Sequence, residues 1–204
     1  MNKKLCLDLC AGLGGFSKAF SEREDWEVVT VDINPKFRTT MVLDLIDVVE
    51  HPESHGDFWN LKPDMIVASP PCERFSIASA TWPLPGIYNA MRVAGAVMEI
   101  ITRMQPEGWI IENPRGRLRY FIGKPHATYN LNRLGYRTVK PTDFWTNLDL
   151  GIFPDKKPLN KVQGRKRGRS FAFDLERSPA KRAEMPYGLS RLVLESFEET
   201  EAVR

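Results

Sequence analysis

The chain of 204 residues holds 29 Lys/Arg against 26 Asp/Glu, with 42% hydrophobic and 27% charged residues. That balance suits one well-packed domain and excludes a disordered chain or a long coiled coil. No apolar run approaches the roughly 20 residues of a membrane helix, and residues 1–4 lead into a short strand-like run, not a secretory signal. The three cysteines (Cys6, Cys10 and Cys72) include no CxxC pair, which speaks against a disulfide framework or a zinc site. The expectation is a single domain over residues 1–204, cytoplasmic, monomeric and without membrane contact.

In chain order, short β-like runs alternate with helical stretches over the first two-thirds, the pattern of an α/β fold with a mostly parallel central sheet flanked by helices. A strand over 4–8 ends on Asp8, and a helix is predicted over 15–24. A second strand over 27–31 is followed by Asp32, and a third over 64–68 is entered through Lys62-Pro63. The stretch 88–104 reads as a helix with Met91, Ala94, Val97, Met98, Ile101 and Met104 at helical spacing. A strand over 109–112 closes on Glu112, a helix is expected over 127–134, and a strand returns over 137–144. Beyond Gly151 the pattern gives way to Pro, Gly and basic residues over 151–185, before a closing helix in 186–204.

The segment Asp8-Leu9-Cys10-Ala11-Gly12-Leu13-Gly14-Gly15-Phe16 places a glycine turn between a strand and a helix, where glycine permits φ > 0 and close approach of a ligand. Asp32 follows 20 residues after Gly12, where an acid would reach a ribose diol. Asp44 ends the next apolar run and could receive the exocyclic amine of an adenine. Ile33 and Leu45, beside these acids, complete a candidate adenosine site. A dinucleotide site usually carries G-x-G-x-x-G so that a pyrophosphate can sit on the helix N-terminus. Here Asp8 lies close before Gly12-x-Gly14-Gly15, a carboxylate that would repel a pyrophosphate and suits a cationic sulfonium. S-adenosylmethionine therefore fits better than a dinucleotide.

After the strand over 64–68 comes Ser69-Pro70-Pro71-Cys72-Glu73-Arg74-Phe75-Ser76. Two prolines stiffen the backbone ahead of a cysteine at the carboxyl end of a sheet strand, as a nucleophile requires. Cys6 reads as an inert core thiol, and Cys10 as a turn residue whose backbone matters more than its sulfur. Glu112 ends Trp109-Ile110-Ile111, so desolvation would raise its pKa and make it a proton donor.

With these segments in view, the chain resembles the cytosine-5 DNA methyltransferases. Residues Asp8 to Phe16 look like their first cofactor motif, Ser69 to Ser76 like their Pro-Cys loop, and Glu112-Asn113-Pro114 like their Glu-Asn-Val motif. The resemblance spans roughly residues 4–145 and implies a Rossmann-like, S-adenosylmethionine-dependent methyltransferase fold. Cys72 would attack C6 of cytosine and Glu112 would bond and protonate the ring. The cofactor would lie against Asp8, Leu9, Cys10, Ala11, Gly12, Gly14, Gly15, Phe16, Asp32, Ile33, Asp44, Leu45, Ser69 and Pro71. Glu73 stands where the family usually has Gln, Pro114 where it has Val, and no clean Gln-x-Arg-x-Arg motif is present. A substrate-contacting arginine stays open among Arg115, Arg117 and Arg137. Met185-Pro186-Tyr187-Gly188-Leu189-Ser190 looks like the family's last motif, and the region 137–147 resembles compact phage-type members.

Charge is unevenly spread. Residues 1–64 hold 7 Lys/Arg against 12 Asp/Glu, a balance of −5, whereas residues 156–182 hold 10 against 2, a balance of +8. The run Arg165, Lys166, Arg167 and Arg169, with Arg74 and Arg115, is the candidate nucleic-acid contact, since clustered cations release counterions from a polyanion. Only this short basic insert stands where the family carries a target-recognition domain. DNA is thus the expected partner, with a short or loose target site, and a protein partner could supply recognition. RNA or a free cytidine nucleotide as substrate, transfer of a modified one-carbon unit, and a catalytically silent nucleic-acid-binding or decoy protein are the alternatives.

Overall fold

The computed structural model describes residues 3–75, 85–136, 140–151 and 184–203. Among these, β1 (Lys4–Leu9), β2 (Trp26–Asp32), β3 (Met41–Val42), β4 (Met65–Ala68), β5 (Gly108–Pro114), β6 (Ala127–Asn130) and β7 (Pro141–Thr146) form one sheet. The strand order is β3-β2-β1-β4-β5-β7-β6. The first five run parallel, β7 is antiparallel to β5, and β6 is antiparallel to β7. The helices are α1 (Lys18–Ser21), α2 (Leu45–Glu50), α3 (Gly56–Trp59), α4 (Pro85–Met104) and α5 (Tyr187–Val203).

The central strands β1, β4 and β5 are largely buried because both faces of the sheet are covered there. Along β1, Leu7 and Leu9 join Ile66 and Ala68 of β4 in the core under α2 and α4. Cys6 joins Met65 and Val67 in the opposite core, with Phe16, Phe20 and Phe197. On α4, Ile87, Ala90, Ala94, Val97 and Ile101 are buried at spacings of three and four, one stripe laid on the sheet. No helix among the described residues is long and apolar enough to cross a membrane.

β2 lies on one side of β1 and β4 on the other, so the connections leaving β1 and entering β4 part at this point. Open parallel sheets bind ligands in the crevice this creates at the carboxyl ends of the strands. Both the glycine turn after β1 and the Pro-Pro-Cys segment after β4 open there.

Two expectations need correction. Residues 127–134 are not a helix: Ala127–Asn130 pair with β7, and only Leu131–Leu134 make a tight 3-10 turn that ends at Gly135 in the left-handed region (φ 98°). The pairing wins because Thr128 Oγ1 donates to the buried Asp143 carboxylate across the ladder at 2.7 Å. The helix expected over 15–24 is the single turn Lys18–Ser21, since Gly12 and Gly14 hold positive φ and residues 15–17 still belong to the loop. The short helices α2 and α3 lie where the sequence showed no period. The strand expected over 137–144 is described only from Pro141, and residues 137–139 fall outside the described set.

α5 packs back onto the start of the chain. Ala19 N donates to Ser190 Oγ at 2.9 Å, and Tyr187 Oη donates to Glu22 at 2.7 Å. A Cβ on Gly15 would come within 2.7 Å of the Met185 carbonyl oxygen, so only glycine lets the segment before α5 lie directly on the first turn.

Candidate active site

The turn after β1 is shaped by backbone strain and secured by acids. Cys10, Gly12 and Gly14 have φ of 57°, 54° and 74°. Ala11 N donates to Val31 O at 3.0 Å, and Gly14 N donates to Ala11 O at 2.8 Å. Asp32 Oδ2 accepts from Gly12 N at 2.9 Å, while its Oδ1 accepts from Asn34 N at 2.9 Å. Asp44 caps α2 by accepting from Ile46 N at 2.9 Å. Its exposed carboxylate faces the same turn, since Asp8, Asp32 and Asp44, after burial itself, push the Cys10 thiol far up. Cys10 is therefore no nucleophile.

Asp8 is placed differently from its expected role. It is fully buried, and Ser17 Oγ donates to its Oδ2 at 2.6 Å. Burial is the main cause that raises its pKa to about 7. Its other oxygen has no hydrogen-bond partner. The carboxyl thus acts on the turn from beneath. Leu9, Phe16 and Leu45 are buried core side chains, so they could serve a ligand only through their backbone. Cys10, Ala11, Gly12, Gly14 and Ser69 are partly exposed along the crevice, Gly15 is buried against Met185, and Ile33 and Pro71 are exposed.

The segment after β4 is held from three sides. Ser69 N donates to Leu9 O at 3.1 Å, Phe75 N to Cys72 O at 3.0 Å, and Arg117 N to Phe75 O at 2.9 Å. Asn113 Nδ2 donates to Pro70 O at 2.9 Å, from a fully buried side chain. Asn113 was not singled out in the sequence, although it stands beside Glu112 in the quoted motif. It ties the loop after β4 to the end of β5 and so sets the distance between the cysteine and the glutamate.

Glu112 lies in β5, 2% exposed. Burial is the largest influence on it and raises its pKa, Asp143 adds to the rise, and Lys140 opposes it. Its Oε1 has no hydrogen bond, and the Lys140 ammonium is 3.7 Å away, within ion-pair reach. The thiol of Cys72 is also raised, first by burial and then by Glu112, with Lys140 again opposing. Four buried polar side-chain oxygens without partners, on Asp8, Ser69, Glu112 and Asn113, lie at the carboxyl ends of β1, β4 and β5. Buried polar atoms are normally paired, so such a group marks a place built to receive something.

Among the nucleic-acid candidates, Arg74 and Arg115 are exposed. Arg74 passes over Gly86 at the start of α4, where a Cβ would touch its guanidinium. Arg119, seven residues after Glu112, is committed to Asp143, its Nε donating at 3.1 Å and Nη2 at 2.6 Å. The neighbouring Tyr120 and Phe121 are exposed, and Phe121 lies 5.8 Å from the Phe75 ring. Arg137, Arg165, Lys166, Arg167 and Arg169 lie outside the described residues.

The model of the C-5 cytosine-specific DNA methylases matches residues 5–138, which include both segments of this crevice. The chain belongs to that family. A viral relative, the "Probable DNA (cytosine-5)-methyltransferase" of Frog virus 3 (isolate Goorha), is 32% identical over 167 residues, covering 72% of this chain and 72% of that protein. The type II methyltransferase M.AplI of Arthrospira platensis is 32% identical over 136 residues, 64% of this chain and 37% of its own length. M1.HphI of Haemophilus parahaemolyticus, also a type II methyltransferase, is 25% identical over 181 residues, 82% of this chain and 47% of its own. The match thus spans less than half of each of these two bacterial relatives.

Proposed function

We propose that the protein methylates C5 of cytosine in DNA, with Cys72 as nucleophile, Glu112 as proton donor and S-adenosylmethionine as cofactor. The observation that carries this reading is the placement of Cys72 and Glu112. A stiffened, partly exposed thiol and a buried carboxyl with an oxygen free of hydrogen bonds stand at the carboxyl ends of neighbouring parallel strands, tied together by Asn113.

The turn after β1 suits the cofactor because Asp32 and Asp44 give it a negative field, and because Asp8 Oδ1 and Ser69 Oγ lack hydrogen-bond partners beside it. Asp32 and Asp44 would hold the ribose and adenine, with Ile33 and Pro71 as exposed apolar surface. S-adenosylmethionine, when bound, supplies an electrophilic methyl group.

A base stacked in a duplex cannot present C6 to a thiolate, so the cytosine must be flipped into the crevice. Cys72 Sγ then bonds to C6, and the C5=C6 pair shifts toward N3, which takes the proton of Glu112. C5 is left nucleophilic. After methylation the C5 hydrogen leaves as a proton, the Sγ–C6 bond breaks and N3 returns its proton to Glu112, releasing 5-methylcytosine. Arg74, Arg115 and the basic run 165–169 would contact phosphates, which position a protein without reading bases. A loose or short target site follows.

Purified protein incubated with S-adenosylmethionine and unmodified DNA, with RNA and dCTP in parallel, should give 5-methyldeoxycytidine in nucleoside digests from DNA. The peak should vanish with Cys72→Ser. Mass gained only by RNA or dCTP would keep the chemistry and change the substrate, and no product from any of the three would overturn the reading.

A further inference from the structure

Lys140 was not suggested by any sequence motif, yet it is the cation that both reactive groups feel. It sits immediately before β7 with its carbonyl accepting from Leu131 N and from Thr142 Oγ1, each at 3.1 Å. Its side chain is only 17% exposed, and the ammonium lies 5.2 Å from the ring centre of Tyr136 and 3.7 Å from Glu112 Oε1. That last distance is too long for a hydrogen bond. The cation therefore balances the carboxylate while leaving Oε1 free to bond another group.

We propose that Lys140 is the positioning cation of the Cys72–Glu112 pair, holding a single negative charge on whichever of the two carries it. The use made of that charge rests on the reading of the preceding subsection. With Lys140 present, thiol plus carboxylate and thiolate plus carboxylic acid are both electrically neutral arrangements. Without it, either arrangement leaves one uncompensated charge in a mostly buried site, which is costly. In the reaction, the S–H bond of Cys72 breaks and its proton passes to Glu112, directly or through one water. Sγ bonds to C6, N3 takes that proton from Glu112, and the carboxylate returns to Lys140.

Among the described residues, the other charged groups facing the pair do not supply this balance. Glu112 also faces Asp143 of β7, and Cys72 also faces Glu73 of its own loop, both of them acids. Asp143 is itself occupied by Arg119 and Thr128.

The test follows alkylation of Cys72 by iodoacetamide against pH, with neither DNA nor cofactor present, read by mass spectrometry on the peptide that carries Cys72. Lys140 acts on the Cys72 thiol in the direction that favours the thiolate, and a nearby opposite charge moves a pKa by about one unit or more, so Lys140→Met should slow alkylation near neutral pH by roughly tenfold. Lys140→Arg keeps the charge and should restore the wild-type profile. Glu112→Gln removes the anion and should shift the profile the other way, toward lower pH. A Lys140→Met profile that coincides with wild type, or a Glu112→Gln profile that does not move down, overturns the proposal. Should Lys140→Met fail to fold, Lys140→Gln takes its place, with the same slowing expected and a wild-type profile overturning the proposal. Failure of wild-type protein to methylate DNA alongside the expected shifts would refute the methyltransferase reading alone.

Discussion

The two halves of the crevice use their polar side chains in opposite ways. Around the turn after β1, the exposed-side acids are engaged with the chain itself, Asp32 accepting from Gly12 and Asn34 and Asp44 from Ile46, and only the buried Asp8, which accepts from Ser17, keeps one oxygen without a hydrogen bond. Around β4 and β5, the amide of Asn113 does the structural work, and the acid Glu112 keeps an oxygen without a hydrogen bond. The first half is thus a shape made from strained backbone, and the second is a set of charges kept available. Damage to the first should appear as lost affinity, whereas damage to the second should appear as lost turnover.

Gly116→Ala should have the largest effect and fall on turnover. A Cβ there would run into the Phe75 carbonyl oxygen, which belongs to the loop carrying Cys72. Displacing a reactive group by about an ångström can cost roughly 100-fold in rate. Titration calorimetry should meanwhile show cofactor affinity close to wild type. Equal losses of affinity and turnover would mean that the halves are not separable.

Asp32→Ala should do the reverse on a smaller scale. It removes the acceptor for Gly12 N and Asn34 N. Hydrogen bonds to a charged group contribute about 1.5–3 kcal/mol, so cofactor binding should weaken roughly tenfold or somewhat more. Turnover at saturating cofactor should stay near wild type.

Asp8→Asn should give the smallest change, read as stability against pH. Folding raises the Asp8 pKa from the usual 3.8 to about 7. The folded chain therefore holds a proton that the unfolded chain has released. Its contribution is fully present below about pH 4 and is lost as pH rises through about 7. Between about pH 5 and pH 8 the wild-type melting temperature should fall more steeply than that of Asp8→Asn, by about 2–4 °C for each kcal/mol of difference. Parallel melting curves would show that Asp8 keeps its charge in the folded state.

Much of this architecture was legible because its signals are local. A glycine turn after an apolar run, an acid after the next strand, and prolines before a cysteine are each set by a few adjacent residues. The helix α4 was equally plain, since its buried stripe from Ile87 to Ile101 repeats at helical spacing. What escaped depends on partners far along the chain. Ala127, Leu131 and Leu134 also fall at helical spacing, and only the pairing of residues 127–130 with β7 turns that stretch into a strand. Asn113 and Lys140 gained their roles from contacts with Pro70 and Glu112, 43 and 28 residues away, and nothing in their immediate neighbours announces either contact. The place of Asp8 along β1 is legible and its surroundings are not, because sequence gives a carboxylate's position on a strand and not the hydroxyl that bonds one of its oxygens.

The seating of Gly15 against Met185, and of Ala19 on Ser190, has a consequence for synthesis. The turn formed by the first residues of the domain is completed by a segment about 170 positions later, the Ala19–Ser190 bond alone spanning 171. At roughly 5–20 residues per second, a ribosome leaves that turn without its final neighbour for about 10–30 s. During this interval β1 can pair with β2 and β4 while Phe16 and Phe20 still lack the α5 side chains that cover them. The nascent chain therefore passes through a stage at which its sheet is laid down and one aromatic face is bare, so aggregation during synthesis should depend on how quickly residues 184–203 arrive.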